Sequence, residues 1–129
     1  MGTPQRPLSP HLGIYRWQLT MALSILHRMS GVFLSFGAVV MVIVLAAIAS
    51  GASQFETIQS WLSHPVGLIL LVGWSFALYL HLANGVRHLI WDAGAALEKN
   101  TANRSGLFVI AFALLATAAT WALACEELI

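Results

Sequence analysis

Charge is what this sequence has least of. Asp, Glu, Lys and Arg make up 9% of its 129 residues, where an ordinary soluble domain carries about a quarter, while 59% are hydrophobic and the mean hydropathy is +0.81. That excludes a soluble globular domain and leaves an all-α membrane protein, a single domain over residues 1–129. Cysteine is nearly missing as well: Cys125 alone can neither close an internal disulfide nor supply the four thiolates of an iron–sulfur cluster. Any redox centre must therefore be held another way. There is no lysine-rich or arginine-rich run and the net charge is +1, so nucleic acid has no electrostatic footprint to bind. Residues 1–18 carry three prolines but neither the apolar core of a secretory signal nor an Arg/Ser-rich amphipathic pattern. The expectation is a mature chain that starts outside the hydrocarbon layer.

What the chain does have is three stretches free of charge, residues 29–50, 66–86 and 105–125, each longer than 20 residues. At about 1.5 Å per residue each spans roughly 30 Å as a helix, enough to cross a bilayer. With their ends, three transmembrane helices are expected over about 22–50, 65–92 and 105–126, after a cytoplasmic segment over 1–20. The connections are short and carry turn formers, Gly51 with Ser53 and Asn100 with Asn103, so neighbouring helices should run antiparallel. Phe55, Ile58 and Leu62 recur at helical spacing in the first connection and suggest a short surface helix.

Orientation follows from the cations, because cytoplasmic segments keep an excess of Lys and Arg near span ends. Arg6, Arg16 and Arg28 precede or open the first span, and Arg87, Lys99 and Arg104 surround the second connection. The first connection has none and the tail offers only Glu126 and Glu127. The N-terminus is thus expected in the cytoplasm and the C-terminus outside. Tyr15, Trp17 and Trp91 would anchor at the cytoplasmic interface, and Trp61 and Trp121 at the other.

Two polar clusters approach membrane depth, where ionisable groups are costly and tend to face a protein interior. Ser24, His27, Arg28 and Gly31 follow at i, i+3, i+4 and i+7, one helical face if the first helix begins early. His81, Gly85, His88 and Asp92 follow at i, i+4, i+7 and i+11, again one face, and Gly85 leaves room for another helix or a flat ligand. On spacing alone two readings stand. His27 and Arg28 are interfacial anchors above a Gly31/Ser35 packing contact, and His81 makes interhelical hydrogen bonds with Arg87 and Asp92 solvated; or the clusters, brought to the same depth by antiparallel packing, share a ligand pocket. If that ligand is a haem, His81 is the better candidate, lying about 16 Å inward of Asp92. His81 and His88, roughly 10 Å apart along one side of a helix, cannot both ligate one iron, so a second ligand would come from another chain. His11 and His64, beside prolines, read as solvated loop residues. The third span, with Thr117 and Thr120 among alanines, reads as a packing helix.

Arg6-Pro7-Leu8-Ser9-Pro10-His11, then Ser24-Ile25-Leu26-His27-Arg28 with Ser30-Gly31, then His81, Gly85, Arg87-His88 and Asp92 together closely resemble the cytochrome b membrane-anchor subunits of succinate dehydrogenase, respiratory complex II. The resemblance runs from about Arg6 to about Asp92 and the three-span plan extends it to the end. It implies a bundle completed by a second three-span anchor subunit, one haem b between the two, and a ubiquinone site beneath an iron–sulfur subunit and a flavoprotein subunit. Position by position, it implies His81 as the haem-iron ligand, Ser24 and Arg28 at the quinone pocket, His27 and Arg28 near the haem propionates, and His88 in the haem vicinity with no contact assigned. Cys125 and the acidic tail receive no role. Only five residues precede the opening motif, so a bacterial inner membrane is expected in place of an organelle. A quinol:fumarate reductase anchor and a cofactor-free helical membrane adaptor are the competing readings.

Overall fold

The computed structural model describes residues 11–14 and 16–126, so the motif of residues 6–10, Tyr15 and the tail at 127–129 lie outside the described residues. A single 3-10 turn over His11–Ile14 precedes four helices: α1 (Leu19–Ser50), α2 (Ala52–Leu62), α3 (Pro65–Asp92) and α4 (Lys99–Glu126). Of these, α1, α3 and α4 are long and apolar enough to cross a membrane. Each is helical because its interior lacks proline and is dominated by Leu, Ala, Val and Ile, whose apolar side chains suit lipid while the helix satisfies every backbone amide internally. Helix and hydrocarbon span do not coincide. The chain is already helical at Leu19 and Lys99, well before the charge-free stretches begin, because polar residues at an exposed helix start cost nothing that water cannot repair.

The breaks have local causes. Gly51 ends α1 and begins α2 at φ 116°, a conformation only glycine adopts freely, and redirects the chain into the short surface helix, whose less exposed side carries Phe55, Ile58 and Leu62 as the spacing suggested. His64 is not simply solvated: its Nδ1 accepts from the Val66 amide at 3.3 Å, capping α3 ahead of Pro65 in the first turn. The turn between α3 and α4 is not built from Asn100 and Asn103, which lie inside α4. It is a Schellman cap in which Gly94 at φ 78° lets its own amide reach the Trp91 carbonyl at 2.8 Å and the Ala95 amide reach that of Ile90 at 3.1 Å.

Helix α3 packs against both α1 and α4, and α1 also meets α4. The centre is small: Leu23, Leu80, Val109 and Ala113 are buried, flanked by Leu19, Phe76, Tyr79, Ala83 and Ile110. Helix α4 contributes Ala102, Gly106, Val109, Ala113 and Thr117, a stripe at i, i+4, i+7, i+11 and i+15. A Cβ at Gly106 would stand 2.8 Å from Leu23 Cδ1, so the missing side chain is what lets α1 come this close. The third span packs closely and adds two polar contacts: Thr117 bonds back to its own helix at Ala113, and Thr120 reaches across to the Tyr79 hydroxyl at 2.7 Å. Most large apolar side chains along the spans remain exposed, as expected where lipid or another chain takes the place of a core.

Candidate functional site

The start of α1, the end of α3 and the start of α4 meet at one end of the bundle. Every Lys and Arg among the described residues, Arg16, Arg28, Arg87, Lys99 and Arg104, belongs to that end. Within it the two polar clusters of the sequence come together. His27 of α1 lies flat on His81 of α3, ring centroids 4.0 Å apart and planes 14° from parallel. Two turns beyond His81 toward the bundle end, His88 tilts against His27, ring centroids 5.3 Å apart, and Trp91 meets His88 edge-on at 5.2 Å.

Side-chain and backbone contacts fix this stack. His81 Nδ1 is 3.1 Å from the His27 carbonyl oxygen and 3.0 Å from Ser30 Oγ, while Ser30 donates its own proton to the same carbonyl at 2.9 Å. A carbonyl oxygen can only accept, so Nδ1 carries the ring proton and Nε2 keeps a free lone pair. Gly31 gives His81 its space: a Cβ there would lie 3.1 Å from Cε1 of the ring. Gly85 faces His27, where a Cβ would find an ordinary 3.7 Å contact. His27 Nδ1 is buried and has no hydrogen-bond partner. An orphaned ring nitrogen beside an imidazole with an available lone pair is a donor set suited to a metal-bearing or anionic ligand and poorly explained by helix packing alone.

The first-helix set divides. His27 and Ser30 turn to α3, whereas Ser24 and the exposed Arg28 line an open groove of about 330 Å³ with Thr20, Met21 and Ile25. A hydroxyl and a fixed cation there can offer hydrogen bonds to an acceptor that enters from the membrane surface. Ser35 is exposed and donates to the Gly31 carbonyl of its own helix at 2.9 Å.

Arg87 is the residue that spacing most misplaced. Far from being solvated, it is 4% exposed. Its Nε donates to Ser105 Oγ at 3.0 Å, and its two amino groups to Asn84 Oδ1 at 3.1 Å and the Ala102 carbonyl at 2.9 Å. Asn84, fully buried, passes its own amide proton to the Leu23 carbonyl at 3.3 Å, so the pair ties α3 to α1 and α4 at once. Trp91 is equally engaged: its indole lies 3.9 Å beneath the Arg87 guanidinium and donates to the Ala96 carbonyl at 3.2 Å, so it braces the turn. Asp92 is exposed. The interhelical partners Ser30, Asn84 and Ser105 are ordinary polar residues in the sequence, and the only hint of them is that Ser30 and Asn84 stand three residues after His27 and His81.

Three apolar helices with a histidine stack and a buried cation at one end define a multi-pass membrane protein with a polar cluster at one end of its bundle. Residues 2–120 match the family described as succinate dehydrogenase/fumarate reductase transmembrane subunit. Among curated relatives, the chain is 37% identical over 119 residues to the succinate dehydrogenase cytochrome b556 subunit of Rickettsia felis, covering 91% of each chain, and 40% identical over 118 residues to that of Rickettsia typhi, again 91% of each. It is 40% identical over 116 residues to the mitochondrial succinate dehydrogenase cytochrome b560 subunit of Sus scrofa, covering 87% of this chain and 68% of the relative. The chain belongs to the succinate dehydrogenase/fumarate reductase transmembrane subunit family, on its succinate dehydrogenase cytochrome b side. It is a membrane-anchor subunit, and its enzymatic role is that of one chain in a larger complex.

Proposed function

We propose that this subunit holds one face of a b-type haem through His81 and forms part of a ubiquinone-reduction site with Ser24 and Arg28, in a bacterial inner membrane with the N-terminus cytoplasmic and the C-terminus periplasmic. The observation that carries the reading is the state of His81: Nδ1 is held by the His27 carbonyl and Ser30, and Nε2 is left as a donor about 16 Å in from the end of α3. The relatives' naming as cytochromes b supports it independently. The second iron ligand would come from the second anchor subunit, because His81 and His88, seven residues apart on one helix, cannot both reach one iron and the His27 ring is stacked on that of His81. The orphaned His27 Nδ1 and the Arg28 guanidinium are suited to the haem propionates, and His88 lines the same space.

A haem b bound by His81 would supply a one-electron redox centre there. In the assembled complex, succinate oxidation would belong to the flavoprotein subunit and electron delivery to the membrane surface to the iron–sulfur subunit. Converting the quinone to quinol takes two electrons and two protons, and negative charge grows on its carbonyl oxygens as electrons arrive. Ser24 donates a hydrogen bond to one such oxygen, and Arg28 one turn on lowers the cost of the developing charge in a low-dielectric setting. The cation asymmetry between the bundle ends supports the orientation, since every described Lys and Arg lies at the same end of the bundle. The purified complex carrying His81→Ala tests the haem reading: the low-spin b-type α-band should be lost or converted to high-spin. An unchanged low-spin spectrum refutes His81 as the ligand.

A further inference from the structure

We propose that Ser30 is a positioning residue for the haem ligand, its hydroxyl locking His81 in the Nδ1-protonated tautomer with Nε2 as the iron donor. The inference deepens the reading of His81 as a ligand and rests on it. Ser30 is one of few polar residues buried in the bundle, 6% exposed, on the α1 face turned to α3. Three atoms form a closed triangle: Ser30 Oγ to the His27 carbonyl at 2.9 Å, His81 Nδ1 to that carbonyl at 3.1 Å, and Nδ1 to Oγ at 3.0 Å.

The triangle has one consistent assignment of protons. The Ser30 proton is committed to the His27 carbonyl, which leaves the oxygen lone pairs of Ser30 facing Nδ1. Both neighbours of Nδ1 are then acceptors, and an unprotonated Nδ1 would set its lone pair against two others. The proton therefore sits on Nδ1, shared between carbonyl and hydroxyl. Without Ser30 the carbonyl remains, but the ring loses its second acceptor and the lateral contact that sets its rotation about χ2. Each acceptor on Nδ1–H makes the imidazole a stronger donor at Nε2 and favours the ferric over the ferrous state, so Ser30 holds the haem potential down and fixes the ligand plane.

The obvious alternative is that Ser30 merely satisfies its own helix by bonding back to His27, three residues earlier. That role would affect stability and leave the iron unmoved. The test uses the assembled complex carrying Ser30→Ala, Ser30→Thr and, separately, His81→Ala, with haem content, redox titration and the ferric electron paramagnetic resonance spectrum as readouts. Ser30→Ala should keep its haem, raise the ferrous to ferric ratio at a fixed potential threefold to tenfold, roughly 28–59 mV at 59 mV per decade for one electron, and move the low-field g value. Ser30→Thr, which keeps a hydroxyl, should restore both. If Ser30→Ala does not assemble, Ser30→Cys, of nearly the same size but a poor hydrogen-bonding partner, should show the same upward shift. Unchanged potential and g values in the first assembled variant overturn the proposal, as does an equal shift in Ser30→Thr. If His81→Ala changes the haem and the Ser30 variants do not, only the role of Ser30 falls; if His81→Ala leaves the low-spin spectrum intact, the ligand assignment falls and the role of Ser30 with it.

Discussion

Removing the Arg87 side chain should weaken the bundle by a definite amount, and in a way that depends on Asn84. Replace Arg87 by Met, which keeps most of the volume and removes the charge. Of the three acceptors, Ser105 Oγ and the Ala102 carbonyl still bond to one another at 3.0 Å, so neither is stranded. Asn84 Oδ1 is: it is fully buried, its only partner among the described residues is Arg87, and leaving it unpaired costs about 1–3 kcal/mol. The lost contact between guanidinium and Trp91, 3.9 Å to the ring centre, adds about 0.5–2 kcal/mol. Against these stands relief of the desolvation carried by a buried cation whose hydrogen-bond partners are all neutral. The net effect is about 2–3 kcal/mol, smaller than three charge-assisted bonds would suggest. Thermal denaturation of the purified complex, followed by release of this subunit, reads it as a midpoint lowered by several degrees. The sharper check is the double variant Asn84→Leu with Arg87→Met. If the orphaned amide oxygen is the main cost, the double variant should be no less stable than Arg87→Met alone. Losses that simply add would refute the argument, and so would an Arg87→Met complex that melts with the native one.

Three further outcomes are expected. Ser24→Ala and Arg28→Leu should each assemble and oxidise succinate normally with an acceptor that takes electrons upstream, yet lose roughly 5- to 150-fold in ubiquinone reduction, the rate equivalent of about 1–3 kcal/mol for a lost donor; parallel loss of both activities would mark them as assembly residues. A C-terminal alkaline phosphatase fusion should be active and a cytoplasm-dependent reporter at the same point silent; the reverse would invert the orientation. Gly106→Val should cost about 1–3 kcal/mol by forcing α4 away from Leu23 and Leu19, visible as a reduced yield of assembled complex, and a native yield and melting point would show that the α1–α4 approach is not limiting.

The number of crossings, the existence of the surface helix and the two polar clusters were readable from the chain because each depends on local composition and period. A run without charge longer than about 20 residues has one low-energy fate in lipid, and residues at i, i+4 and i+7 share a face wherever the helix packs. Helix ends were less legible, since a charge-free run marks hydrocarbon and not hydrogen bonding: α4 takes in Lys99 and Arg104, and the turn before it depends on Gly94 adopting φ 78°. Only the tertiary structure decided what the polar residues do. Ser24, His27 and Arg28 lie within 100° of one another on α1, and the crossing with α3 assigns His27 and Ser30 to one side and leaves Ser24 and Arg28 on the open groove. Arg87, one residue before His88, looks like any cation at a helix end. Whether it faces water or the interior is set by α4 laying Ser105 and the Ala102 carbonyl beside it, groups fifteen and more residues away in sequence. Periodicity fixes which residues share a face of one helix; which face meets which neighbour is a property of packing, and at this end of the bundle packing separates a buried clamp, a histidine stack and an open groove drawn from the same few turns.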